Sequence, residues 1–145
     1  MSAAPDAPGA DAPGPEVRRR IRSGSPYEPA IGFSRAVRVG DRVVVSGTGP
    51  VLPGGGCPEG AGPQARCCLE IVAAALAEAG ASLADVVRTR MYLTSAADAQ
   101  AVGAVHAEML AGARPAATMV VVAGLLDPAW RVEIEAEAVL TAGRS

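Results

Sequence analysis

A row of glutamates is the first feature of this sequence that could do chemistry. From Trp130 to Val139 the residues alternate, with Glu133, Glu135 and Glu137 on one side and small apolar residues on the other, which predicts a strand. Carboxyl groups of this kind serve as general acids and bases in enzymes. The same spacing is also typical of a solvated strand face, and from spacing alone that second interpretation is favoured.

Two arginines and a tyrosine lie in another predicted strand, from Val86 to Thr94. Alternation places Arg88, Arg90 and Tyr92 on one face of this strand. The opposite, core-like face carries Val87, Thr89, Met91 and Leu93. Because an uncompensated buried charge is strongly destabilising, we expect Arg90 to meet either a glutamate of the last strand, as a plain ion pair, or the anion of a ligand.

The remaining reactive side chains do not form a recognisable site. His106 lies in a predicted helix without a Ser, Cys or acid at triad-like spacing, so we interpret it as a capped or surface residue. Cys67 and Cys68 point about 100° apart on a helix, which suits packing and not metal binding. The glycines of 54–56 lack the Lys-Ser or Lys-Thr of a phosphate loop. We therefore predict no metal and no nucleotide cofactor.

Length and composition are those of one small domain. The 145 residues carry a net charge of −2 and half of them are apolar, with four aromatic residues among them. No concentration of Lys or Arg suits a nucleic acid, and no segment is apolar and long enough for a signal peptide or a membrane span. The three cysteines do not form a disulfide framework. These features predict a cytoplasmic protein with neither nucleic-acid nor membrane partners.

The elements that position these residues follow a simple order. Residues 1–22 are rich in Pro, Gly and Ala and predict a flexible tail, in which the basic run 18–22 acts as a solubilising hinge. Residues 23–145 form the domain. Its predicted elements are a hairpin (33–39 and 42–47), a helix (64–79), a strand (86–94), a helix (95–110) and two strands (118–123 and 130–139). This ββαβαββ order predicts an α+β fold, a mixed sheet with both helices on one face.

One predicted strand needs a second cover. Residues 118–123 are apolar on both faces, whereas the two helices can cover only one face of the sheet. Symmetric association of several copies is the economical way to cover the other face.

Several short motifs, taken in order, resemble a known family. They are Ile31-Gly32-Phe33-Ser34-Arg35-Ala36-Val37, Ser46-Gly47-Thr48, Gln64-Ala65-Arg66, Asp85-Val86-Val87-Arg88-Thr89, Arg114-Pro115-Ala116, Gly124-Leu125-Leu126-Asp127-Pro128 and Val132-Glu133-Ile134-Glu135-Ala136. Their order and spacing, over about residues 25–140, resemble the RidA family, also called YjgF-like. The resemblance implies a chorismate-mutase-like fold assembled as a homotrimer, with ligand clefts between subunits. Active members hydrolyse reactive enamines and imines, such as 2-aminoacrylate, to keto acids and ammonia without a cofactor.

The resemblance also implies which residues line the cleft. Gly47 offers backbone groups, Phe33 stands where a Tyr is common, and Glu133 is the acid that positions water. Ala117 takes the place of an arginine that binds the substrate carboxylate. We assign Arg90 and Met119 to the same substrate-binding set.

The departure at Ala117 leaves two functions open. An arginine grips a carboxylate with two charge-assisted hydrogen bonds, and losing such a contact forfeits about 2–4 kcal/mol. The first function is hydrolysis of an enamine or imine of the 2-iminobutanoate or 2-iminopropanoate type, using Glu133 and water. The second is a non-catalytic trimer that binds a small metabolite or serves a pathway as an accessory protein.

Overall fold

The protein is built on a single mixed sheet. A computed structural model describes residues 17–141. The strands are β1 (Arg18–Ile21), β2 (Ala36–Val39), β3 (Arg42–Thr48), β4 (Val86–Leu93), β5 (Ala116–Val121) and β6 (Val132–Val139). They lie in the order β1-β2-β3-β6-β4-β5, and neighbours are antiparallel except β4 and β5. The strand with the glutamates, β6, therefore lies in the middle of the sheet.

Three helices accompany the sheet in the described part of the chain: α1 (Tyr27–Ile31), α2 (Ala61–Glu78) and α3 (Ala99–Met109). The two long helices contact each other, and α2 packs on β3 and β6. The single turn before β4 begins with Ser82, whose backbone N–H donates to Asp85 Oδ2 at 2.9 Å. The turn before α3 begins with Ser95, whose Oγ accepts from Ala97 N–H at 3.2 Å. Both caps and the α+β fold predicted from the sequence are confirmed.

The core lies between the sheet and the two long helices. Its fully buried side chains include Leu69, Val72 and Leu76 of α2 and Ile134 of β6, at the helical and strand spacing that predicted these elements. The other face of the sheet is not covered by α2 or α3. It presents the polar side chains of β6 and β4 together with Val44, which is 46% exposed. We call this surface the open face.

The N-terminal part of the domain differs from the prediction. Residues 1–16 lie outside the described residues, but Arg18–Ile21 form β1 and are not part of a tail. The arginine run has a structural task, because Arg19 Nη2 donates to Glu78 O at 2.8 Å. Arg38 of β2 donates likewise to Ala79 O at 2.7 Å. Two guanidinium groups thus satisfy carbonyls at the C-terminal end of α2, where cations are favoured. The short helix α1 was also missed.

Two strand assignments need correction. Val87, assigned to the core face of its strand, is 45% exposed, because the register of β4 against β6 shifts between Val86 and Arg88 and the extra residue turns outward. The strand predicted at 118–123 corresponds to β5, which begins and ends two residues earlier than predicted. Ala116 pairs with Arg88 in its parallel ladder, and alanine has too low a strand propensity to reveal that start.

A buried amide ties the beginning of β6 to α2. Gln64, 2% exposed, donates from Nε2 to Pro58 O and to Ala129 O, both at 3.0 Å. Its Oε1 accepts from Arg131 N–H at 2.7 Å. These bonds fix the chain immediately before Glu133.

Candidate functional site

The carboxylate of Glu133 rests on Gly47. The ladder between β3 and β6 is irregular between Val45 and Thr48, so the chain at Gly47 bends out of regular pairing. A Cβ built on Gly47 would overlap Glu133 Oε2 and lie 3.3 Å from its Cδ. A side chain at position 47 would force that carboxylate to move, so glycine is the residue that lets it rest in this position. Two residues that the sequence assigned to one cleft are thus brought together.

The half-buried position changes the acidity of Glu133. Burial raises the pKa of its carboxyl above the ordinary 4.5, the positive charge of Arg35 lowers it, and Glu135 raises it again. The net direction is upward. A carboxyl whose pKa is moved toward neutrality is better matched to accepting and returning a proton at physiological pH.

Arg35 is the residue of this site that sequence reasoning missed. It is 7% exposed, and its Nη1 donates to Gly47 O at 3.1 Å and to Thr48 Oγ1 at 2.8 Å. Phe33, assigned to the cleft, lies over this guanidinium, with Cζ 5.5 Å from the ring centroid, within cation–π range. The available signal was an arginine directly before the alanine and valine that begin β2.

Arg90 is joined to Glu135 on the open face. Its Nη1 donates to Glu135 Oε2 at 2.8 Å, and Tyr92 Oη donates to Glu135 Oε1 at 2.7 Å. This hydrogen bond is the main reason that the pKa of Tyr92 is raised. The cross-strand ion pair considered for Arg90 is therefore present, although 38% of the arginine side chain stays exposed. Exposed pairs of this kind stabilise by about 0.2–1 kcal/mol.

Ala117 and Met119 lie away from Glu133 within one chain. Ala117 pairs with Thr89 and Met119 with Met91, so both are on the helix side of the edge strand β5. Glu133 pairs with Tyr92, on the open face. The structure of one chain brings Gly47, Phe33 and Glu133 into one neighbourhood, but it does not add Ala117 or Met119 to them.

His106 turns inward and is capped by a hydrogen bond, one of the two interpretations that the sequence left open. Its Nε2 is 2.8 Å from Thr89 Oγ1, and burial lowers the pKa of its imidazole below 6.5. An open recess of about 510 Å³ borders it, lined also by Leu110, Arg114 and Pro115. None of the residues that line this recess lies around Glu133. The candidate site is therefore on the open face and not in the recess.

The cysteines are free thiols. Burial raises the pKa of Cys68 far above its ordinary value and also raises that of Cys67, as expected for packing residues. Within residues 17–141 no group of three or more His, Cys, Asp or Glu is placed to hold a metal ion. In the same range, no helix combines the length and hydropathy needed to cross a bilayer.

The fold and the motifs define the class of protein. Residues 24–140 match the model of the family described as Endoribonuclease L-PSP, and similar solved structures carry the names YjgF and RidA. The chain belongs to this YjgF/RidA/L-PSP family.

Individual relatives agree with the assignment. The Streptomyces coelicolor protein SCO2049 is 41% identical over 127 residues, which cover 85% of this chain and 92% of the relative. Rv2704 of Mycobacterium tuberculosis, described as a member of the YjgF/YER057c/UK114 family, superposes with a TM-score of 0.79 at 44% identity, covering 86% of this chain and all of that one. RidA of the Antarctic bacterium Psychrobacter sp. PAMC 21119 has a TM-score of 0.73 at 30% identity, covering 83% and 94%.

Proposed function

We propose that the protein hydrolyses a small reactive enamine or imine, with Glu133 handling the protons of the attacking water. The observation that carries the proposal is the half-buried carboxylate held against Gly47, whose pKa burial raises. Such a group can accept a proton from water and return it to a leaving nitrogen.

The reaction needs no group beyond the substrate and water. The substrate reacts as the protonated imine. The water oxygen bonds to its carbon, the C=N electron pair moves to nitrogen, and the Glu133 carboxylate takes one proton from that water, which gives a neutral carbinolamine. Glu133 then returns this proton to nitrogen, the C–N bond breaks, and the hydroxyl proton passes to the Glu133 carboxylate as the carbonyl forms. A carbonyl compound leaves, and the ammonia leaves as ammonium once it has taken the proton from Glu133. An enamine enters the same route after protonation of its carbon gives the protonated imine. No oxidant or cofactor is part of this proposal.

The cleft is proposed to form between subunits of a homotrimer. Two facts support this: Ala117 and Met119 lie on the edge strand, away from Glu133 of the same chain, and Val120 and Val121 of that strand are 42% and 54% exposed. A neighbouring copy would cover those valines and bring its edge strand to the site. Light scattering tests the assembly. A trimer mass is expected, and a monomer at micromolar concentration would contradict it.

The substrate is proposed to be held differently from a simple 2-imino acid. Ala117 has no group that grips a carboxylate, and orientation of the substrate is a large part of such catalysis. We therefore propose slow turnover of 2-iminobutanoate and faster turnover of a small imine without a carboxylate.

A second candidate function is non-catalytic binding of a small metabolite, or an accessory role in a pathway. It is favoured by the alanine at position 117, which lacks the group that would orient the carboxylate of a 2-imino acid for turnover. An RNA substrate, which the family description would suggest, is not proposed. The net charge of −2 and the acidic neighbour Glu135 do not favour a polyphosphate backbone.

Ammonia release discriminates between the two functions. Freshly generated 2-aminoacrylate, 2-iminobutanoate and a neutral aliphatic imine are mixed with the protein, and ammonia is compared with the spontaneous rate. Acceleration that disappears in Glu133→Gln supports hydrolysis. A wild-type rate equal to the spontaneous rate on all three compounds would overturn it and leave binding, measured by calorimetry with pyruvate and 2-oxobutanoate. Since the described cysteines are free thiols, a reducing cytoplasmic location is part of the proposal.

A further inference from the structure

Arg35 is an unusual residue for its location. Among the described residues, Arg35 is the basic residue that is buried. Its Nε has no hydrogen-bond partner. The nearest acid, Glu28, is 4.0 Å away from that nitrogen. A buried guanidinium that is only loosely paired is destabilising, so stability does not explain why an arginine is present here.

The hydrogen bonds of Arg35 converge on the irregular part of β3. Its Nη1 donates to both Gly47 O and Thr48 Oγ1, and Thr48 Oγ1 in turn donates to Ser46 O at 2.8 Å. The bend of the chain is thereby fixed by a single guanidinium. The Glu133 carboxylate lies against the Cα of Gly47. Arg35 and Glu133 thus hold the same residue, the first through its carbonyl and the second on its Cα.

We propose that Arg35 is a positioning residue for Glu133, fixing the backbone of Gly47 on which that carboxylate rests and setting the charge beside it. The proposal rests on the proposed function for its catalytic meaning. It differs from the role given to the missing arginine at position 117, because Arg35 acts through Gly47 and Glu133 and does not touch the substrate.

The electrostatics agree with the geometry. Arg35 is the positive group that acts on Glu133, against burial and the negative charge of Glu135. The other titratable groups around that carboxyl are Tyr92 of β4 and Cys68 of α2, each of which has its own pKa raised in part by Glu133. Neither is a cation. Arg90 lies on the same face but is paired with Glu135, so Arg35 is the cation that acts on the pKa of Glu133.

The test follows the titration of the Glu133 carboxyl by carbon NMR, assigned with Glu133→Gln. We expect Arg35→Gln to move the Glu133 midpoint to higher pH, because the opposing positive charge is gone. Arg35→Lys should keep the midpoint close to that of the wild type, because the charge remains, yet lower ammonia release at least about tenfold, because the two-acceptor contact is lost. The matched control is Arg42→Gln, which removes an exposed arginine of β3 paired with Glu137 at 3.2 Å and should leave the Glu133 midpoint unchanged.

A variant with a smaller structural change covers the case in which Arg35→Gln does not fold. Thr48→Val removes one acceptor of Arg35 and is expected to move the Glu133 midpoint in the same upward direction, by less. An unchanged Glu133 midpoint in a folded Arg35→Gln or Thr48→Val protein would overturn the proposal. The titration needs no substrate, so a shifted midpoint without any ammonia release would uphold the positioning role and reject hydrolysis.

Discussion

The carboxylate of Glu133 occupies the space in which a side chain of Gly47 would begin. The two residues come from neighbouring strands, and the irregular register of β3 between Val45 and Thr48 brings them together. Any side chain at position 47 must move the carboxylate. A substitution at Gly47 therefore tests the site while leaving every charged group in place.

Gly47→Ala is expected to displace the Glu133 carboxylate, because the new methyl group would overlap Oε2. The end of a glutamate side chain can turn away, so we expect the free energy of unfolding to fall by about 1 kcal/mol, the lower end of the cost of overpacking. Ammonia release should fall with it. Thermal unfolding and the ammonia assay measure the two effects. Gly124→Ala is the control, because a Cβ at Gly124 meets nothing within 4 Å. A Gly47→Ala protein with wild-type stability and an unchanged Glu133 titration would contradict the described contact.

Glu133→Gln should change how stability depends on pH. Because the pKa of Glu133 is raised in the folded state, the folded protein binds more protons than the unfolded chain between 4.5 and the folded-state pKa. Stability from this group is thus lost as the pH rises through that window. We expect the variant to gain stability relative to the wild type between acid and neutral pH, and the difference to be independent of pH below 4.5. Denaturant titrations across pH measure it, with Glu137→Gln as the control on the same face. A Glu133→Gln protein that lost stability relative to the wild type as the pH rose through this window would contradict the raised pKa of Glu133.

Ala117→Arg is expected to accelerate hydrolysis of 2-iminobutanoate by at least about tenfold, since a charged hydrogen bond contributes about 1.5–3 kcal/mol and 1.4 kcal/mol corresponds to a factor of ten. Ala117→Lys supplies the charge without the planar fork and should accelerate it less. The ammonia assay compares the three proteins. A wild-type rate as high as that of Ala117→Arg would show that this position does not decide activity.

Arg90→Ala tests whether Arg90 anchors an anion. The guanidinium uses one donor for Glu135 and remains partly exposed, so its other donors can reach a ligand carboxylate. We expect the variant to lose calorimetric binding of pyruvate and 2-oxobutanoate while keeping its fold and assembly, with little change in melting temperature. The control is Arg88→Ala, two residues away on the same face. A lower melting temperature with intact carboxylate affinity would show that Arg90 serves only the ion pair with Glu135 and does not bind the anion.

The sequence predicted the elements whose pattern is local. Leu69, Val72 and Leu76 repeat at helical spacing and defined α2, and the alternation of Glu133 with Ile134 defined β6. It missed β1, because Arg18–Ile21 is mostly charged and its apolar signal is one residue, Ile21. It also missed the start of β5, because Ala116 and Ala117 have a low strand propensity.

The candidate site was only partly predictable for a related reason. Glu133 and Gly47 were named through a family resemblance, but their contact depends on a register irregularity that no periodicity reveals. Arg35 lies 12 residues from Gly47 in sequence, and its hydrogen bonds arise from that same irregularity. The position of Ala117, on the opposite side of the sheet from Glu133, follows from the parallel pairing of β5, which becomes visible only in three dimensions.

The strand β1 has a consequence for how this protein tolerates shortening. A chain cut to begin at Ser23 would lose the strand that pairs with Ala36–Val39, and it would leave Glu78 O at the end of α2 without Arg19. The newly bared strand would present unpaired backbone groups to other molecules, the usual starting point of edge-to-edge aggregation. Such a truncated protein should precipitate during purification, even though most of its hydrophobic core is intact.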